Sequence, residues 1–393
     1  MVVNYEFLDK EPIDNLVTCL NFKVDKVVYL GFDEDIAKFR DRLEKFLSKY
    51  CDVKEVVFRE VPKYDLQSIF DTLRIEVTRE QEKGSEVYFD LTGGAHLVLV
   101  AFGMLSMQTR TPMHMFDVAG DRLIELDEDK EAGISRNVEQ RKVPLTLDMM
   151  IEMHGGAINY NLQKESKEIR DPKFAADVEK IYEVAIRHWE YWNPFSDHLK
   201  RLFTPPAREL TVCKSMPYVQ SCINKSETKL NSVKTFNEII KDLKQAGMLS
   251  GVDRSDGKYS ITYKNKAIRD CLWGGGTILE LHTYMQEKEH SDDCRIGTHL
   301  DWDGVIHKES GNDLMNEIDV LSLNDNVMTF ISCKSGKMNY TQILHALYEL
   351  DTVAKRFGGK YCRKVLVSAK PLSKVYMERA GEMKIEVRVV TKQ

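Results

Sequence analysis

The sequence predicts an α/β protein: an N-terminal parallel sheet covered by helices, a small helix-and-hairpin connector, and a second α/β unit at the C-terminus. Three observations carry this. Apolar runs and helical-period segments alternate through the first 125 residues, which implies parallel strands joined by right-handed crossovers. Runs such as Lys26–Phe32 (KVVYLGF) are apolar throughout, as strands covered on both faces are. The 393 residues, 42% hydrophobic and 30% charged, fall in the ordinary globular range and suffice for at least two cores.

The elements follow in order. Val2–Phe7 reads as a strand, Ile13–Phe22 as a helix and Lys26–Phe32 as a strand. Glu34–Tyr50 places Ile36, Phe39, Leu43, Phe46 and Leu47 on one helical face. Val53–Phe58 is a strand, and Leu66–Glu80 a helix with Leu66, Ile69, Phe70, Leu73 and Val77 in its stripe. Glu86–Leu91 (EVYFDL) is a strand, Leu97–Met107 an almost wholly apolar helix, and Met113–Val118 another strand. The pattern breaks after Leu126: 127–137 reads as a charged loop, 144–156 as a short element and 159–172 as a polar linker.

Phe174–Trp192 reads as a helix, and Phe236–Gly247 as a second that ends at its glycine. Met248–Tyr263 reads as a hairpin with an Asp-Gly turn, so the connector has the outline of a winged helix. The last segment opens with a helix, Thr277–Glu289. Strand-like runs follow at Asp301–His307, Glu317–Leu323, Val327–Cys333, Lys364–Ala369 and Lys384–Val390, with a helix at Thr341–Phe357.

A formal net charge of −6 excludes a strongly basic nucleic-acid coat. Charge is unevenly spread: 1–170 and 271–330 are acidic, whereas 171–270 and 331–393 are basic. No apolar run approaches the ~18 residues that span a bilayer, and Met1–Lys10 lacks the pattern of a signal peptide. None of the eight cysteines forms C-x-x-C or a zinc spacing. The expectation is a reduced, cytoplasmic protein with no membrane partner.

Two motifs carry chemistry. The first is Asp90-Leu91-Thr92-Gly93-Gly94-Ala95-His96, where a buried strand gives way to a helix. Paired glycines let a ligand approach the backbone, and helix N-termini favour anions. Thr92 adds a hydroxyl and His96 a ring donor. The motif lacks GK[ST], so it is not a P-loop, and it is not G-x-G-x-x-G.

D-x-T-G-G-x at the fourth strand resembles the CARF domain, the CRISPR-associated Rossmann fold that senses cyclic oligoadenylates. The segment Leu8-Asp9-Lys10-Glu11-Pro12-Ile13-Asp14-Asn15-Leu16 is similar to the P-x-x-N-L turn in one branch of that family. The resemblance covers about 1–125. It implies ligand contacts from Pro12, Asn15, Thr92, Gly93, Gly94 and His96, with Gly31, Phe32 and Asp33 after the second strand as further candidates. His96 stands where many relatives carry Lys, which would make a phosphate contact sensitive to pH.

The second motif joins Asn316-Glu317-Ile318-Asp319-Val320-Leu321 to Phe330-Ile331-Ser332-Cys333-Lys334-Ser335-Gly336. Neighbouring strands would bring Asp319 to Lys334, a pair suited to hold a divalent cation and orient a water for attack on phosphorus. Glu317 and Asp319, two apart on a strand, are expected on one face. Glu280 on the preceding helix is a further ligand candidate, and such oxygen donors suit Mg²⁺ or Mn²⁺.

This set resembles the PD-(D/E)XK nuclease superfamily over about 275–370. The resemblance assigns Glu280, Asp319, Lys334 and Gln342 to its helical Glu, strand Asp, strand Lys and following Gln. Ser332 departs from the pattern, standing where Asp or Glu is usual; Glu317 is the candidate to replace that charge. The expected organisation is a CARF domain at 1–145, a linker at 146–173, a winged-helix-like connector at 174–270 and a nuclease at 271–393.

The resemblance implies a homodimeric nuclease that cleaves DNA and/or RNA, activated by a cyclic oligoadenylate, foremost cyclic tetra-adenylate, with two-fold ligand matching two-fold dimer. Its rival is a ligand-responsive DNA-binding regulator with a degenerate nuclease domain, which Ser332 and the basic connector favour. A sensor that degrades its own ligand is a third reading, for which no catalytic base is evident beside Thr92.

Overall fold

The computed structural model describes residues 1–126, 132–162, 170–206, 208–307 and 314–390. Residues 127–131 of the expected charged loop and 163–169 of the expected linker lie outside them. The first unit runs β1 (Val2–Phe7), a 3-10 turn (Pro12–Asn15), α1 (Val17–Asn21), β2 (Lys26–Gly31), α2 (Asp33–Tyr50), β3 (Glu55–Glu60), α3 (Leu66–Glu82), β4 (Glu86–Asp90), α4 (His96–Thr109), β5 (Met113–Asp117), β6 (Arg122–Glu125) and α5 (Ile134–Asn137). Its strand order is β3-β2-β1-β4-β5-β6, parallel except for β6. The order reverses between β1 and β4, so the loops after these strands flank a topological switch point, where ligands bind in open α/β sheets.

The segment 146–173, expected as a linker, instead carries α6 (Leu147–Met153) and β7 (Ala157–Ile158). Leu147, Met149, Met150, Ile151 and Met153 are all buried, which holds this stretch down. The connector follows: α7 (Pro172–Arg187), α8 (Trp189–Leu202), β8 (Thr211–Ser215), α9 (Met216–Asn224), α10 (Val233–Gln245), β9 (Leu249–Asp253) and β10 (Lys258–Tyr263). The expected single helix 174–192 is broken at His188, and a new helix begins at Trp189. From α8 onward the order helix, strand, helix, helix, strand, strand, with a β8-β10-β9 sheet, is the winged-helix topology.

The C-terminal unit comprises α11 (Lys266–Trp273), α12 (Thr277–Lys288), β11 (Asp293–Asp301), β12 (Met315–Asn324), β13 (Val327–Lys334), α13 (Tyr340–Gly358), β14 (Arg363–Ser368), α14 (Lys374–Glu382) and β15 (Ile385–Val389). Its sheet order is β15-β14-β13-β12-β11-β7. The strand expected at Asp301–His307 lies earlier, at Asp293–Asp301. Asp301 Oδ1 accepts the N–H groups of Asp303 and Gly304, and this side-chain turn ends the strand.

Three apolar cores hold the chain together, and two of them cross these boundaries. One packs α3 and α4 on a face of the first sheet. A second joins that sheet's other face, through α2 and α6, to α13. The third joins the winged helix to α12 and the C-terminal sheet. Each shared core buries apolar side chains from two units, so each unit stabilises its neighbour.

Candidate functional site

β12 and β13 are antiparallel neighbours, paired from Val320↔Ile331 onward. Beyond that pair Asp319 faces the end of β13. Its Oδ2 accepts the Cys333 N–H (2.6 Å) and the Ser332 hydroxyl (3.2 Å), and Lys334 Nζ lies 3.8 Å away. Burial raises the Asp319 carboxyl, opposed by Lys334, the Cys333 N–H and the Ser332 hydroxyl, while Glu317 adds to the rise. Ser332 is buried and spends its hydroxyl on Asp319.

Glu280 lies one turn into α12. A Cβ at Gly276 would sit 3.1 Å from Glu280 Oε1 and 3.6 Å from Ser335 Oγ, so the carboxylate and the loop after Lys334 converge there. The Cys333 thiol, buried and pushed well up by desolvation, also feels Asp319 and Glu280 raising it and Lys334 lowering it.

Glu317 is near Asp319, but the strand alternation that would align them breaks. Ile318 packs in the core with α13, whereas Val320, two residues on, packs in the core with α12. The β11–β12 register skips Asp319 opposite Gly297, whose φ is +59°. This irregularity corrects the expectation of one shared face. Glu317 is exposed and lies 3.7 Å from His299 Nε2 on β11.

Gln342 forms a capping box at the start of α13: its side-chain oxygen accepts the Asn339 N–H (2.9 Å), and its own N–H donates to Asn339 Oδ1 (2.9 Å). It also lines an open cavity of about 560 Å³ with Lys334, Ser335, Thr341, His345 and Glu349. Among the described residues, no three His, Cys, Asp or Glu side chains form a ready metal cage.

The second candidate site lies at the β1/β4 switch point. Asn15 is buried and closes the turn on itself: its Oδ1 accepts the Asp9 N–H (2.7 Å) and its Nδ2 donates to Asp9 O (2.8 Å). Pro12 opens the 3-10 turn. Thr92 Oγ1 donates to Asp90 Oδ1 (2.5 Å) and accepts the Phe116 N–H (2.9 Å). Gly93 is required by close approach, since a Cβ there would meet Asp9 Cβ at 2.8 Å. Gly94, at φ +156°, donates its N–H to Asp9 Oδ2 (3.3 Å). His96 is exposed at the first turn of α4.

Gly31 packs against Leu8 and Ile36, and Phe32 meets Phe7 edge-on at 5.2 Å with Lys63 over its ring. Asp33, Glu34 and Asp35 together make the first turn of α2 acidic. That charge complements the helix dipole and repels a phosphate.

Sequence reasoning missed the polar groups beneath these loops. Asp90 is buried against the Thr18 hydroxyl and the His114 ring, 3.5 Å away. Glu11 is buried between His154 Nε2 (3.2 Å) and the Lys360 N–H (2.7 Å). Burial at these charges is visible only in three dimensions.

No curated protein matches the chain. Several solved structures share its fold, three of which follow. Protein VC1899 from Vibrio cholerae is 16% identical, with 99% of this chain and 94% of that chain covered and a TM-score of 0.67. Can2 from Sulfobacillus thermosulfidooxidans, in complex with cyclic tetra-adenylate, is 14% identical, with 98% and 92% covered and a TM-score of 0.65. A type III CRISPR defence DNA nuclease activated by cyclic oligoadenylate is 14% identical, with 95% of this chain and 47% of that chain covered and a TM-score of 0.50. Residues 266–391 match the family model of the Card1-like endonuclease domain. No helix among the described residues is long and apolar enough to cross a membrane. Residues 266–391 thus match an endonuclease domain, and almost the whole chain shares the fold of Can2 and of VC1899.

Proposed function

We propose that this chain hydrolyses phosphodiester bonds in DNA and/or RNA when a cyclic oligoadenylate, foremost cyclic tetra-adenylate, occupies the β1/β4 loops of a homodimer. The observation that carries it is the Asp319–Lys334 pair at 3.8 Å, inside a segment that matches the Card1-like endonuclease domain. The Can2 structure, which binds cyclic tetra-adenylate, supports the ligand.

Asp319 on β12 and Glu280 on α12, the latter beside the loop after Lys334, are hard oxygen donors of the kind that fits Mg²⁺ or Mn²⁺ with water and substrate oxygens completing the shell. Such a cation would supply Lewis-acid polarisation of the scissile phosphate and a more acidic water. Asp319 is held in place by Ser332 and the Cys333 N–H, so its geometry is set before substrate arrives. Lys334 places a positive charge where negative charge develops on the phosphate oxygens. Glu317 stands one position off this set and would act on the water network rather than on the cation.

A second copy would cover α4. Val100, Met104 and Met107 leave an exposed apolar stripe along that helix, and Gly103 has open space at its Cβ position. The stripe starts beside Gly94 and His96, so two-fold pairing there would bring two loop sets to one cyclic ligand. In this reading the chain serves CRISPR antiviral defence.

The test is a cleavage assay on plasmid, single-stranded DNA and single-stranded RNA, with Mg²⁺ or Mn²⁺, with and without cyclic tetra-adenylate, beside Lys334→Ala. Cleavage that needs ligand and cation and is lost in the variant is the expected result. Tight ligand binding with no cleavage of any substrate would overturn it in favour of a regulator with a degenerate nuclease domain.

A further inference from the structure

The winged-helix unit carries a cationic groove that the nuclease chemistry does not use. α10 is the third helix of that unit, the one that most winged helices present outward. Its apolar face, Phe236, Ile239, Ile240 and Leu243, is fully buried against the connector core. Its other face carries Lys234, Lys241 and Lys244, all exposed. Spacings of seven and ten residues keep the three within one side of the helix, over about 15 Å of its length.

The wing faces this row. Arg254, in the turn between β9 and β10, lies over the Tyr259 ring at 4.9 Å, and Tyr259 is fully buried with its hydroxyl on Asn237 (2.8 Å). The guanidinium is thus held at the mouth of the groove by a fixed base. Lys234, Asn237, Lys241, Lys244, Val252 and Arg254 line an open cavity of about 630 Å³. Glu238 is the one acid in that lining. Lys244 reaches the Ser250 carbonyl, and none of the four cations has an ion pair among the described residues. Elsewhere lysines are often paired, as Lys26, Lys264 and Lys364 are. Four unneutralised charges beside one carboxylate, on a chain of net charge −6, form a local positive field that selects a polyanion.

We propose that this groove binds the sugar–phosphate backbone of duplex DNA. A straight row of cations along one helix, faced by a wing, matches the regular phosphate spacing of a duplex better than a flexible single strand. The same unit touches the catalytic loop: Asn193 of α8 donates to Ser335 Oγ (3.1 Å), next to Lys334. DNA held by the groove is therefore held by the body that carries the cutting pocket. The naming of DNA as substrate rests on the nuclease reading, while binding at the groove is measured without cleavage.

The experiment is fluorescence anisotropy of full-length protein with a labelled duplex, in EDTA, across a salt series. Wild type is compared with Lys234→Gln/Lys241→Gln/Arg254→Gln and with Lys45→Gln, an exposed lysine of the sensor unit. The triple variant should bind about tenfold or more weakly, and its log–log salt slope should fall by about 3. Lys45→Gln should match wild type, and thermal melts should coincide. Equal affinity and slope for the triple variant would overturn the proposal, as would a loss confined to a single strand of the same sequence. Cleavage failing in every protein while duplex binding depends on the groove would retain it and count only against the nuclease reading.

Discussion

Lys360 Nζ lies 2.5 Å from Asp14 Oδ2, so the turn after β1 is ion-paired to the loop that follows α13. Tyr361 donates to the same carboxylate (2.9 Å), and Glu11 accepts the Lys360 N–H (2.7 Å). Gly359, at φ +61°, leaves no room for a side chain beside Glu11. α13 begins at the pocket beside Lys334 and ends here, so a helix of about 28 Å links the two candidate sites. Lys360→Met keeps the aliphatic stem and removes the charge. Because the ammonium is half exposed, the loss should be about 1–2 kcal/mol, below that of a fully buried pair. Denaturant melts measure this, and ligand-dependent cleavage should fall with it. Undiminished ligand response would show that the pair only stabilises.

Asp14 also predicts a pH dependence. Burial pushes its carboxyl up to about 6, against the pull of Lys360 and Tyr361, and Asp9 adds to the rise. The unfolded carboxyl titrates near ~4. Between these values the native state keeps a proton that the unfolded chain has lost. The group's stabilising contribution is thus complete below the unfolded value and is lost as pH rises through the folded one. Asp14→Asn cannot titrate. From pH ~4 to ~7 wild type should lose about 2–3 kcal/mol relative to the variant. Parallel stability curves would contradict this.

Ser332 stands 3.2 Å from Asp319 Oδ2. Ser332→Asp places two carboxylates in contact. Without a divalent cation the variant should be about 1–2 kcal/mol less stable. Mn²⁺ should then raise its Tm by more than it raises that of wild type. A cation response no larger than wild type's would mean that the two oxygens do not share a site.

Asp9 Oδ2 accepts the Gly94 N–H (3.3 Å), so a carboxylate sits where an anionic ligand would approach. Asp9→Asn keeps an acceptor for the Glu11 N–H and drops the charge. Cyclic tetra-adenylate should bind about fivefold tighter by calorimetry, a gain of roughly 1 kcal/mol. Weaker binding would place Asp9 among the groups that recognise the ligand.

Met107 is 88% exposed on α4, with Val100 and Met104 on the same helix. Val100→Lys/Met107→Lys should convert a dimer to a monomer in light scattering and abolish ligand-stimulated cleavage. A monomeric wild type, or a variant of unchanged mass, would exclude this face as the dimer contact.

The first sheet was legible because its period is strong: Phe39, Leu43 and Phe46 mark α2, and KVVYL marks β2. The Asp319–Lys334 pair was legible because two short apolar runs joined by a tight turn, Glu317–Leu323 and Val327–Cys333, read as neighbouring strands that bring the two residues together. What failed was local geometry. Period two aligns Glu317 with Asp319, but the skip opposite Gly297 rotates the strand between them. β11 (DCRIGTHLD) hides behind charges and a glycine, so its strand was sought in the following turn. Gln342 matched a nuclease pattern and also caps its helix, two roles that one residue type satisfies. The contacts of Glu11 with His154 and Lys360 bridge sequence separations of 143 and 349 residues, and no local pattern encodes them.

β7 pairs with β11 through Leu300↔Ile158 and Asp301↔Ala157, yet the whole winged helix lies between the two in the chain. The winged helix therefore lies in the chain between two paired strands of the C-terminal sheet. The endonuclease sheet cannot be cut out as one continuous piece. A fragment beginning at 266 would leave the outer edge of β11 bare, inviting the edge-to-edge association that unpaired strands promote. Only a fragment that starts before Ala157 would retain the strand that closes it, and on the ribosome that strand must wait for the intervening residues to be made before it finds its partner.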